Sequence, residues 1–155
     1  MKPERSLTAA EKAILPFVLA RAIETDQVRI VRRWHTPLAA ALKITIVRGA
    51  DIFWAGAPDE ASSLAERAHL AHELTHVWQY RRLKRTGLEL LASRIYRYRL
   101  DSRRCFLSYG YEQQAAIVED YVRLQSGAPP RWATGPISEI ADFERVIDTA
   151  HALSG

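Results

Sequence analysis

The run His72-Glu73-Leu74-Thr75-His76 sets two imidazoles four residues apart with a carboxylate beside the first. On a helix, residues four apart lie nearly one above the other, so both rings reach one ion while Glu73 projects beside them. A zinc hydrolase needs this arrangement: two neutral nitrogen ligands, a third protein ligand, and an open position for water. The carboxylate takes that water's proton as it attacks a polarised carbonyl. With five histidines and eleven glutamates in 155 residues, the pattern arises by accident in about one such chain in a hundred. Two other roles use the same residues: an ion that only stabilises the fold, and a helix retained after turnover is lost.

A catalytic site requires one more ligand, and Glu112 is the best candidate. It stands in Tyr109-Gly110-Tyr111-Glu112-Gln113-Gln114-Ala115-Ala116, where small residues allow a helix to pack closely against the one bearing the histidines. This points to the glutamate-ligand class of zinc hydrolase, because positions 77–82 hold neither the glycine nor the third histidine of HExxHxxGxxH. Glu119, seven residues on and on nearly the same face, Asp120, and His69, three residues before His72, remain alternatives. Glu119 and Asp120 also suit a supporting role, since ligating histidines usually donate their other N–H to a carboxylate. Tyr109 and Tyr111 stand near this ligand, and Tyr111 is the candidate donor to a substrate oxyanion.

The elements that must position these groups follow from periodicity. Leu7–Ile23 has helical spacing interrupted by Pro16, within an N-terminal helical extension over 1–25. Val28–Val31, Lys43–Val47 and Asp51–Ala55 are β-branched or alternating runs, predicting a small mixed sheet of about three strands. A short helix opened by Pro37 spans Thr36–Leu42. Ser63 and Glu66 form a capping box for the helix carrying the motif, which runs to Gly87. Further helices are expected over Leu88–Leu100, Tyr111–Gln125 and Ile137–Leu153, the last filling most of the C-terminal stretch 131–155. The fold class is α+β with a mostly helical C-terminal half.

Length bounds the rest: 155 residues make one domain, 1–155, with a full core. A single cysteine, Cys105, excludes an internal disulfide framework. The N-terminus has no convincing secretory signal, and no run approaches a membrane span. The expectation is a soluble protein made in the cytoplasm, with export by a signal-independent route open. Between Arg81 and Arg104 nine basic residues face two acidic ones, a local charge of +7 within a chain of net +4. That block reads first as a solvated face with arginine stems covering apolar surface. Docking of an acidic partner is the functional alternative, and nucleic acid is disfavoured because no groove-reading motif accompanies the charge.

Four segments together resemble a known bacterial family: Val28-Arg29-Ile30, Gly49-Ala50-Asp51-Ile52-Phe53-Trp54, Ala71-His72-Glu73-Leu74-Thr75-His76-Val77-Trp78-Gln79, and Tyr111-Glu112-Gln113-Gln114-Ala115. The chain, over about residues 26–125, is similar to the metallopeptidase-like core domain of contractile injection systems, including short Vgr-related proteins. The resemblance implies a zincin-like fold, Zn²⁺ on His72, His76 and a downstream glutamate, and Glu73 as catalytic base. It also implies a link to a phage-tail-like or type VI secretion apparatus, as effector, processing protease or assembly part. One position departs from the wider glutamate-zincin pattern: Ala116 stands where an aspartate often follows the ligand by four residues, so support for the ligands must come from elsewhere.

The leading expectation is a zinc-dependent endopeptidase acting on a protein or peptide substrate, with His72, His76 and Glu112 as ligands and Glu73 as base. The alternative is a non-catalytic, zinc-stabilised assembly or adaptor module that docks a partner, such as a secretion-system protein, through the basic 81–104 segment.

Overall fold

The structure is a computed structural model that describes residues 2–84, 94–136 and 138–153. The histidine pair sits at the centre of the fold because the helix that carries it, α4 (Leu64–Leu83), is buried on nearly every side from Leu70 to Gln79. Ser63 caps it as its sequence requires: the hydroxyl accepts from the Glu66 N–H at 3.2 Å and the Glu66 carboxylate accepts from the Ser63 N–H at 2.9 Å. The helix stops at Lys84, which takes a left-handed conformation, earlier than the expected Gly87, a position outside the described residues.

A four-stranded sheet covers one side of α4, in the order β1 (Glu4–Ser6), β2 (Arg29–Val31), β4 (Asp51–Phe53), β3 (Ile46–Arg48). β2 and β4 are parallel and the other pairs antiparallel, so the sheet is mixed as expected. The additional strand, β1, comes from the stretch assigned to a helical extension. It is held by Glu11, whose wholly buried carboxylate takes a two-pronged bond from Arg5 at 2.7 and 2.8 Å and accepts from the Ala61 N–H at 2.8 Å. A charge so buried is tolerated only when paired and fully hydrogen-bonded. The rest of the extension is two short helices, α1 (Ala9–Lys12) and α2 (Phe17–Ala20), and not one. Pro16 lacks an N–H and ends the first before the second begins. Leu7, Ile14, Leu15, Leu19 and Ile23 all join the main core.

Between β2 and β3 lies α3 (Pro37–Leu42), capped by Thr36, whose hydroxyl accepts from the Ala39 N–H at 3.1 Å. β3 and β4 form a hairpin with a two-residue loop, and Gly49 there has φ +62, the positive angle such loops need.

On the other side α4 packs most extensively against α5 (Tyr111–Gln125), with Ala71, Ala115 and Ala116 fully buried. The helix expected over Leu88–Leu100 is not formed where the chain is described: 85–93 lie outside the described residues, and Arg94–Leu100 is non-helical. Tyr98 there bridges Ala133, with the Thr134 N–H donating to Tyr98 O at 2.7 Å. This tertiary pairing, together with the Tyr98 hydroxyl donating to Asp120 at 2.7 Å, overrides a helical apolar spacing. The C-terminal helix, α6, is likewise shorter than expected, covering Ile140–Asp148 before a 3₁₀ turn at Thr149–Leu153. Residues 131–136 are non-helical, because they are drawn onto Asp120 as described below.

The basic segment does not form one continuous helical face. Arg81 bonds Gln27 at 2.6 Å, Arg103 forks onto Asp101, and Arg104 lies over the Tyr109 ring at 4.2 Å. The observed arginines thus cover neighbouring surface and pair locally, as a solvated face would. No helix among the described residues is long and apolar enough to cross a membrane.

Candidate metal centre

One helical turn separates His72 and His76, and their ring centroids lie 4.9 Å apart. Glu112, in the first turn of α5, extends Oε2 to 3.1 Å from His72 Nε2 and 3.2 Å from His76 Nε2. The three side chains are buried and their donor atoms lie within 4.8 Å of one another. The fold therefore brings together the three side chains that the sequence ranked first as candidate ligands.

The other ring nitrogens show why both Nε2 atoms point inward. His72 Nδ1 lies 3.0 Å from Glu119 Oε2, and Glu119 also accepts from Trp132 Nε1 at 2.8 Å. His76 Nδ1 lies 2.7 Å from Gln79 Oε1. The amide of Gln79 can face only one way, because its Nε2 donates to the Tyr111 carbonyl at 2.8 Å and to Gln114 Oε1 at 3.0 Å. Its oxygen must then face His76, which places that imidazole's proton on Nδ1 and leaves Nε2 with a free lone pair. Two nitrogens and a carboxylate converging on one point, each braced from behind, fit a divalent cation of the zinc type.

Without a cation, His72 Nε2 donates to Glu112 at the same point. Burial opposes charge on His72, but hydrogen bonds to Glu112 and Glu119, with the charge of Glu73, outweigh it and raise its pKa to about 10. Burial likewise opposes charge on Glu112, yet the bond from His72, with the His76 ring alongside, brings its carboxyl down to about 2. Glu119 is lowered too, its burial outweighed chiefly by His72.

The remaining candidates take other places. Asp120 turns away from the centre and accepts from the Arg131 N–H at 2.6 Å, the Ala133 N–H at 2.9 Å and the Tyr98 hydroxyl. It thereby anchors the loop that carries Trp132 to Glu119. His69 bonds Thr45 at 3.0 Å and sits 3.8 Å from Glu73. Tyr109 is spent on the Asp101 backbone, accepting from its N–H at 2.9 Å. Tyr111 stacks flat on His76, centroids 4.7 Å apart at 12°, and is buried.

Beside the ligands opens a cavity of about 240 Å³, into which Glu73, His72, His76 and Glu112 face together with Tyr96 and Arg94. Tyr111 is not among the described residues that line it. Tyr96 is the tyrosine there, half-buried, its ring 5.8 Å from His72 and stacked on Trp132 at 4.9 Å. Burial first, then the negative charge of Glu112, raises its pKa and keeps the phenol protonated. Sequence reasoning missed Tyr96, which it placed in a helix, and Trp132. It also missed the role of Gln79, although a position three after His76 lies on the same helical face.

Residues 21–84 match the eCIS core domain family. The matched span begins just after α2 and takes in β2, α3, β3, β4 and α4, so it includes both histidines and Glu73 but not Glu112. The structure is also similar to that of the effector domain of Pseudomonas aeruginosa VgrG2b, with a TM-score of 0.65 and 25% sequence identity over 80% of this chain and 75% of that one. No curated protein matches the chain. The two likenesses support a link to contractile injection systems and Vgr-related proteins.

Proposed function

We propose that this protein is a zinc-dependent metallopeptidase of zincin-like fold, working as an effector or processing protease of a contractile injection apparatus. The observation that carries this reading is the convergence of His72, His76 and Glu112 at the floor of an open cleft with Glu73 beside them. A purely structural zinc site is closed by four protein ligands, whereas three ligands on a cleft leave room for water and substrate. When bound, zinc supplies Lewis acidity that polarises a carbonyl and acidifies water.

The chain's own residues supply the rest. Glu73 accepts the proton of the attacking water and delivers it to the departing amine. Tyr96, protonated and facing the cleft, donates its O–H to the oxygen on which charge develops. Tyr111 keeps the His76 ring in plane. Glu119 and Gln79 hold the two imidazoles in the tautomer that presents Nε2. β3, the outer strand of the sheet, borders the cleft through Ile46, Val47 and Arg48, and an outer strand offers an extended peptide a row of backbone partners.

The test is cleavage of an unfolded protein such as casein by zinc-loaded wild type and Glu73→Gln, with the metal content of both measured. One zinc in each, with hydrolysis only in wild type, is the expected result. Hydrolysis by a metal-loaded Glu73→Gln protein would remove Glu73 from the role of base. A zinc-stabilised adaptor is the second reading, favoured by the way the ligands tie α4 to α5 deep in the core. It requires a large loss of thermal stability on chelation and no cleavage by wild type.

A further inference from the structure

The cavity beside the metal centre has two unlike linings. The lining from α4 and α5 supplies His72, Glu73, His76 and Glu112; the lining from α3, β3 and the turn between them is a largely apolar wall, with Leu38, Ala39, Leu42, Ile44, Ile46 and Val47. Leu38 and Leu42 are one helical turn apart, and 59% and 50% of their surfaces are exposed. Two neighbouring leucines held in water lose the stabilisation that burial would give, and such exposure beside a cleft marks a contact surface. At about 240 Å³, the cavity falls below the roughly 300–1,000 Å³ of pockets that engulf a drug-sized ligand. It has room for one large side chain with its adjoining backbone. A charged side chain laid against Leu38, Leu42, Ile46 and Val47 would give up water to apolar surface.

We infer that this wall is the specificity pocket of the site and takes a large apolar side chain, of the leucine or phenylalanine kind, from the residue next to the bond being cut. This rests on the peptidase reading for the nature of the occupant. The pocket discriminates by size and desolvation: alanine leaves the wall uncovered, and glutamate or lysine gives up water to apolar surface.

The test needs no turnover. N-blocked amino-acid hydroxamates differing only in side chain (leucine, phenylalanine, alanine, glutamate, lysine) are titrated into the zinc-loaded full chain by calorimetry, with acetohydroxamate as a probe of the metal alone. The leucine and phenylalanine compounds should bind about tenfold or more tighter than the other three, a margin that a hydrophobic pocket commonly provides. Leu42→Asp and, separately, Leu38→Ser should erase that preference while leaving acetohydroxamate affinity unchanged. Both positions are exposed, so the fold should tolerate either change. Equal affinities across the series, or a preference that survives both substitutions, would overturn the inference. So would failure of acetohydroxamate to bind, which would also take down the metal centre. An apolar preference in a protein that cleaves nothing would uphold the pocket and remove only the catalytic reading.

Discussion

Glu119 Oε2 stands 3.0 Å from Nδ1 of His72, across 47 residues of sequence, while Glu112, on the same helix, faces Nε2 of the same ring at 3.1 Å. One imidazole is thus held from both ends by carboxylates two turns apart on α5. The support that a helical aspartate at position 116 would provide comes instead from Glu119, and Trp132 and Asp120 fix Glu119 and the loop beside it.

Glu119→Ala should therefore weaken zinc binding by about 10–100-fold, the usual effect of removing a carboxylate behind a ligating histidine. His76→Ala and Glu112→Ala should abolish stoichiometric binding. Competition with a chromogenic chelator measures all three. Glu119→Ala affinity equal to wild type would mean that the ring is held by packing alone.

Proton linkage supplies a second check. In the metal-free protein His72 keeps its proton to about pH 10, so near pH 8 each cation bound must displace one. The logarithm of zinc affinity should rise by about one per pH unit between pH 7 and 9, once metal hydrolysis and buffer binding are corrected for. Slope near zero would show that His72 is already neutral.

The same shift makes metal-free stability depend on pH. The folded pKa of His72 lies above its unfolded value of 6.5, so its contribution is complete below pH 6.5 and disappears as pH rises through about 10. Glu112 has the opposite sign: its folded value is depressed to about 2, so its contribution is present above pH 4.5 and is lost as pH falls toward 2. These are one interaction seen from its two ends. Thermal melts of the chelated protein should show stability declining from about pH 6.5 to pH 10, and the decline should be absent in His72→Ala.

Gln79→Leu should lower both stability and metal affinity. The change removes the donor that Gln79 supplies to Gln114 Oε1 and the acceptor it offers His76 Nδ1, at about 1–3 kcal/mol for each buried group left unpaired. It also frees the His76 tautomer. A wild-type melting temperature with unaltered zinc affinity would show that water replaces the amide.

Sequence alone determined what depends on local geometry. The spacing of His72, Glu73 and His76 and the Ser63–Glu66 cap need only the period of the helix, and each appears as expected. Glu112 was also legible, because a helix start with small residues after it marked a close-packing element. Tertiary structure decided the rest. Whether Glu112, Glu119, Asp120 or His69 met the histidines depended on how α5 docks against α4, and a rotation of about 100° separates adjacent helical residues. The non-helical path of Arg94–Leu100 was hidden for a related reason: its apolar spacing suits a helix, but Asp120 and the Trp132 segment offer Tyr98 side-chain and backbone partners that only the folded chain brings within reach. Tyr96 faces the cleft and Tyr111 does not, because side-chain direction in an irregular segment follows from those long-range bonds and not from any repeat in the sequence.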